Sequence, residues 1–209
     1  MHEIVSPENT GFAPGRFIAE NSILSKLTQA YLDEENLPGV FVFLDMEKAF
    51  DRVSWDYLHA SLKALGFGQD FRSKIQTLYD LNNPQHRRVV VTGHASSYFN
   101  LQSGVAQGCP LSPLLYLCVA EGLTRAINAN PKIKGIVVNG NEQKISQFAD
   151  DAKLMLRDYK KSWKACKKTI RLYCKASGQK MNDSKTEALL LGSLKDSTEN
   201  LPREWKICP

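Results

Sequence analysis

An α+β fold, with an antiparallel sheet backed by helices on one face, is predicted by three observations. The stretch "GVFVFLD" is a continuous apolar run of strand length, Asn139-Gly140 and Gly93 punctuate hairpins, and helical apolar spacings alternate with these strands in mixed order. Residues 1–16 read as loop, with Pro7, Gly11, Pro14 and Gly15 as punctuation. "RFIAENSILSKLTQAYLDEEN" places Ile23, Leu27 and Tyr31 at helical spacing and stops before Pro38-Gly39. The apolar run that follows reads as a central strand buried on both faces. Next comes a helix whose stripe is Trp55, Leu58, Leu62 and Leu65, capped by Ser54 and ended by Gly66.

"FRSKIQTLYDL" predicts a further short helix, and residues 87–101 predict two strands around a turn containing Gly93. "PLSPLLYLCVAEGLTRAINAN" reads as a long, mostly buried helix behind Pro110 and Pro113. "GIVVNGNEQKISQFADDAKLML" gives strand, turn, strand, a tight corner at two aspartates, and strand again. Trp163, Cys166, Ile170 and Tyr173 mark a basic amphipathic helix that stops at Gly178, and "EALLLG" reads as the last strand. No repeat or linker interrupts the 209 residues.

Lysines and arginines outnumber acids by 27 to 22, a net charge of +5 that favours an anionic partner such as nucleic acid only weakly. Five cysteines, odd in number and without Cys-x-x-Cys or histidine neighbours, predict buried thiols in a reducing compartment rather than zinc ligands. The start lacks an apolar signal core, and no apolar run approaches the roughly 18 residues that span a bilayer, so the chain reads as intracellular, in nucleus or cytoplasm, without a membrane. The basic stretch "YKKSWKACKKTIRLYCK" is open to two readings, an RNA-binding stripe or a solvated outer helix face.

The chemistry lies in carboxylates. Adjacent aspartates alone carry little weight, since eleven in 209 residues give about half of one adjacent pair by chance. Their setting carries more. Asp150 and Asp151 lie between two apolar strands, where like charges about 4 Å apart repel by about 4 kcal/mol at an effective dielectric of about 20. Asp45 ends an apolar strand, where a charge is costly unless it is paired, exposed, capping or metal-bound. Three such carboxylates without histidine or cysteine neighbours suit magnesium or manganese, and a pair of such ions activates a hydroxyl while stabilising a departing phosphate oxygen.

"FVFLDMEKAFDRVSWDYL", "SGVAQGCPLSPLLYLC", "QFADDAKLML" and "SGQKMNDSKTEALLLG" resemble, in order and spacing, motifs A, B, C and D of reverse transcriptases. The wording is similar to that of non-LTR retrotransposons, the long interspersed elements, more than to group II intron or telomerase enzymes. "NTGFAPGRFIAEN" resembles the segment leading into motif A, so the likeness covers roughly residues 9–192. It implies a right-hand polymerase palm at about 40–59 and 105–195, with fingers parts at about 9–39 and 60–104, and no thumb. It implies RNA-directed DNA polymerase activity on an RNA template, a DNA primer and dNTPs.

The resemblance assigns two magnesium or manganese ions to Asp45 and Asp150, with Asp151 as the neighbouring carboxylate. Phe50 would collide with a ribose 2′-hydroxyl, or else it is a core phenylalanine. Met46, Gln107 and Gly108 would lie against nucleotide and template, and Lys185 would protonate or neutralise the leaving pyrophosphate. Asp51 is expected to be structural or helix-capping, and Arg16 to contact template phosphate or base. Residues of the family ahead of "TGF" and after motif D are expected to be missing from this length, which leaves an alternative: an inactive, truncated remnant that binds nucleic acid weakly.

Overall fold

The computed structural model describes residues 4–13, 15–82, 86–197 and 201–208; Pro14, one of the expected loop residues, lies outside them. Helix α1 (Ile18–Glu34) leads into strand β1 (Gly39–Leu44), followed by α2 (Trp55–Ala64) and α3 (Gln69–Leu78). Ser54 Oγ accepts the Tyr57 N–H, and Gly66 adopts φ +84° past the end of α2, as the cap and stop residues dictate. The expected two strands of residues 87–101 are each broken in two: β2 (His86–Arg87), β3 (Val90–Val91), β4 (His94–Ala95) and β5 (Phe99–Asn100). They form an exposed ribbon in which β3 pairs with β4 and β2 with β5.

Helix α4 (Ser112–Ala129) is buried nearly all round, which its apolar composition requires. Strands β6 (Ile136–Val138) and β7 (Asn141–Gln143) close over Asn139-Gly140, both at positive φ, as this turn demands. The predicted single strand after that turn is two: Lys144 separates β7 from β8 (Ile145–Phe148), and β8 joins a different sheet with β9 (Asp151–Leu156). Helix α5 (Tyr159–Ser177) ends at Gly178 in the left-handed region, φ +78°. Strand β10 (Glu187–Leu191) follows, and β11 (Lys206–Ile207) closes the chain.

The main sheet has the order β11-β10-β1-β9-β8, with β1 in the middle. Val40, Val42 and Leu44 share one face with Ala152, Leu154, Leu156, Ala188 and Leu190, and α2, α4 and α5 pack there. Phe41, Met155 and Leu191 point to the other face, where Leu32 of α1 covers them. The continuous apolar run of β1 is thus explained, and the expectation of helices on one face only is corrected, because a strand apolar on both sides must be covered on both.

Two further readings are corrected. In α1 the expected stripe is partly out of phase: Tyr31 packs against the core, but Ile23 and Leu27 are exposed, whereas Thr28 and Leu32 are buried with Leu24 beside them. A Cβ on Gly39 would collide with Leu32 Cδ1, so the glycine makes room for that leucine on the strand. "EALLLG" is not the last strand, since β11 lies parallel to β10. Two residues are too short to signal a strand; buried Trp205 anchors the segment, 5.1 Å from the Trp163 ring. The Glu204 carboxylate accepts from Lys167 Nζ at 2.6 Å and Trp163 Nε1 at 2.8 Å, which holds its acid down near pH 2.

All five cysteines are free thiols, and burial pushes those of Cys118 and Cys166 up to about 12. Among the described residues, no helix is long and apolar enough to cross a membrane.

Candidate active site

Antiparallel pairing of Leu44 with Ala152 puts Asp45, just past β1, next to Asp151 at the start of β9. Phe148 pairs with Asp151, so Ala149 and Asp150 form the two-residue turn between β8 and β9. Ala149 sits at φ +57°, a left-handed conformation that costs a non-glycine residue about 1–2 kcal/mol. The amino-terminal loop holds the turn in place. Thr10 N–H donates to Gln147 O at 3.0 Å, Gln147 N–H to Glu8 O at 2.7 Å, and Ala149 N–H reaches fully buried Asn9 Oδ1 at 3.4 Å. Gly11 presses so closely that a Cβ there would stand 2.5 Å from Ala149 N. Gly11→Val is therefore expected to displace the aspartate turn. Backbone amide chemical shifts of Ala149 and Asp150 are expected to move, and a folded variant in which both stay at their wild-type positions would refute the link.

The three carboxylates act on one another. Burial raises the acid of Asp151 first, and the charges of Asp150 and then Asp45 raise it further. Burial, and after it the charges of Asp150, Cys174 and Asp151, raise the phenol of Tyr116. Lys185, on a single 3-10 turn over Asp183–Lys185, brings Nζ to 3.6 Å from Asp45 Oδ2 at the exposed surface. Because the fold holds the acid of Asp151 above its unfolded value, the negative charge is a cost that is absent at low pH and appears as pH rises through the carboxylate range. Asp151→Asn should thus raise the melting temperature in EDTA at pH 7 by on the order of 2 °C, with the gain vanishing near pH 3. A gain that persists undiminished at acid pH would show that charge is not its origin.

A second group assembles around Phe50. Its ring stacks on Tyr116, centroids 4.7 Å apart and 17° from parallel. The loop at 103–111 is stitched to this segment: Val105 N–H donates to Phe50 O and Gly104 N–H to Val53 O, both at 2.8 Å. Trp55 Nε1 donates to Gly104 O at 2.8 Å, and Gln107 Nε2 donates to Asp51 Oδ1 at 3.1 Å. Asp51 is therefore a structural tie; the cap of α2 is Ser54. Gly108 holds φ +82° with no atom within 4 Å of the position its Cβ would take, so its exposed backbone is open to approach. Met46 is buried and bridges Met181, while Asn182 N–H donates to Asp45 O at 2.9 Å, which sets Lys185 beside the carboxylate.

Arg16 is placed elsewhere than on an open surface. Its guanidinium donates to the carbonyls of Val5, Ser6 and Asn9 and ties the amino-terminal loop that braces the turn. Sequence reading missed Asn9, Gly11, Tyr116 and Lys153. Lys153 lines a cavity of about 310 Å³ with Asn21, Ser25, Phe43, Phe148 and Asp151. It hydrogen-bonds Ser25, lies 4.9 Å from the Phe41 ring centroid, and burial lowers its amine to about 8. Its only sequence signal was a lysine alternating with apolar residues on a buried strand.

The family model for reverse transcriptase, RNA-dependent DNA polymerase, matches residues 1–205. The transposon TX1 149 kDa protein of Xenopus laevis is 31% identical over 197 residues, 93% of this chain and 15% of that protein. The Pol polyprotein of the type-2 retrotransposable element R2DM of Drosophila melanogaster is 29% identical over 145 residues, 69% of this chain and 13% of its own. The chain thus spans about a seventh of these relatives. Telomerase from Candida tropicalis shares the fold at TM-score 0.61 and 13% identity, covering 87% of this chain and 30% of its own. With motifs, fold and relatives in agreement over nearly its whole length, the chain belongs to the reverse transcriptase family, in the branch of non-LTR retrotransposons.

Proposed function

We propose that this chain forms the catalytic core of an RNA-directed DNA polymerase, which joins a deoxynucleoside triphosphate to the 3′-hydroxyl of a DNA primer along an RNA template. The reading is supported above all by the gathering of Asp45, Asp150 and Asp151 at adjacent ends of β1 and β9, where burial and then the charges of Asp150 and Asp45 raise the Asp151 acid. Among the described residues, no group of three His, Cys, Asp or Glu side chains is closed tightly enough to hold a metal ion. The donor set nevertheless fits a hard cation in kind, being all carboxylate oxygen and mutually repelling. Asp45, Asp150 and Asp151 would hold two magnesium or manganese ions, which supply activation of the primer hydroxyl and charge stabilisation of the leaving group.

The remaining roles belong to the chain itself. Phe50, fixed by Tyr116 and by the 103–111 loop, presents a rigid edge against a ribose 2′-hydroxyl. Gln107, Gly108 and Met46 border the nucleotide and template. Lys185 stands near Asp45 to deliver a proton or positive charge to pyrophosphate. Arg16 acts through the loop it closes, which seats the aspartate turn. The test is extension of oligo(dT) on poly(rA) with dTTP and magnesium or manganese. Metal-dependent extension abolished by EDTA is expected, and a folded chain that extends nothing with either metal would overturn the reading in favour of an inactive remnant.

A further inference from the structure

Helix α5 carries seven of the chain's 27 lysines and arginines and none of its 22 acids, so without it the protein would be net negative. At about 3.6 residues per turn, Lys160, Lys164, Lys167, Lys168, Arg171 and Lys175 fall within an arc of about 100°. Trp163, Cys166, Ile170 and Tyr173 occupy the opposite arc and are buried in the core. This core lies on the sheet face served by α2 and α4, whereas Asp151 opens into the cavity beside α1 on the other face. The basic stripe is therefore separate from the carboxylate edge.

Lys167 is paired with Glu204. Among the described residues, no carboxylate lies within ion-pair distance of Lys160, Lys164, Lys168, Arg171 or Lys175, all of them exposed. Successive cations four residues apart repel one another, and nothing in the described fold neutralises them. From Lys160 to Lys175 the row runs about 22 Å at about 1.5 Å per residue. A DNA double helix offers a backbone charge roughly every 1.7 Å of its axis, and an A-form RNA duplex, with its shorter rise, at least as many. Leu172 is the one large apolar side chain exposed on the helix, and Trp163 is buried, so the face has neither aromatic platforms for unstacked bases nor an apolar surface to enter a bilayer.

We propose that the outer face of α5 is a second nucleic-acid contact, outside the catalytic cleft, which grips the phosphate backbone of a base-paired stretch of RNA without reading its sequence. That the duplex is RNA rests on the template assigned under Proposed function; the charge row and its geometry do not. The experiment is fluorescence anisotropy of the full chain with a labelled blunt RNA duplex in EDTA, which offers neither primer end nor metal, so that it reads binding independently of polymerase activity. The variant K164Q/K168Q/R171Q is compared with K26Q/K74Q/K132Q, which removes equal charge from exposed positions elsewhere.

The stripe variant should bind at least about 10-fold more weakly and lose about 2 to 3 from the slope of log affinity against log salt, at about 0.9 per lost phosphate contact. The control should stay near wild type, and melting temperatures should match throughout. Equal loss in both variants, or none in the stripe variant, would overturn the proposal. So would loss confined to a DNA duplex, or to vesicles of phosphatidylserine and phosphatidylcholine, with RNA binding intact.

Discussion

Replacing Asp150 and Asp151 together by alanine is expected to lower primer extension by about 1,000-fold or more while leaving the fold in place. Removing even one preorganised group that stabilises charge at a reacting centre costs about 100- to 1,000-fold, and this variant removes two of three carboxylates from one edge. The fold should survive because these side chains contribute repulsion rather than packing: partial desolvation, then the charges of Asp150 and Asp45, raise the acid of Asp151, which still keeps contact with solvent. Melting temperature and extension rate measured on the same preparation decide the matter. A variant that retains a tenth of the wild-type rate would remove the carboxylates from the chemistry, and one that fails to fold would be replaced by Asp150→Asn, which keeps the side-chain volume.

Trp55→Ala is expected to have the largest effect on stability. The side chain is 2% exposed and its ring lies 5.9 Å from that of Tyr79, so truncation costs about 3–5 kcal/mol in lost burial and cavity. It also leaves the buried Gly104 carbonyl without the indole N–H, an orphan acceptor worth a further 1–3 kcal/mol or so. At about 2–4 °C per kcal/mol for a chain of this size, the melting temperature should fall by more than about 8 °C. Trp55→Phe keeps most of the volume and loses the donor, so it should fall between alanine and wild type. A drop of a degree or two for Trp55→Ala would show that the 103–111 loop is held by its backbone bonds alone.

The same tryptophan shows how far the sequence could be read. Its place on an apolar stripe with Leu58 and Leu62 marked a buried face of α2, and all three are buried. That its N–H would reach a carbonyl 49 residues away could not be inferred, because helical spacing reports which side of a helix is wet and not what lies against it. Asp150 and Asp151 were legible as a charge conflict between two strands. The loop that holds their turn was not: Asn9 and Gly11 are common loop residues, and their task depends on a contact made across some 140 residues. The internal ties of Arg16 were illegible for a related reason. A lone arginine in a glycine-rich loop suggests an anionic ligand, whereas three carbonyls of its own loop take the guanidinium.

The sequence by itself determined the central position of β1, the caps of α2 and α5, the hairpin at Asn139-Gly140 and the four ordered motifs of a reverse transcriptase. Each of these follows from local chemistry: an unbroken apolar run, a hydroxyl before a helix, a glycine able to take positive φ, residue types at fixed spacing. The tertiary structure alone decided which face of α1 is buried, how β11 joins the sheet, and which side chains brace the aspartate turn. Those outcomes depend on close approach between distant segments, Leu32 over Gly39, Trp205 against Trp163 and Gly11 against Ala149, where a few tenths of an ångström decide and periodicity carries no information.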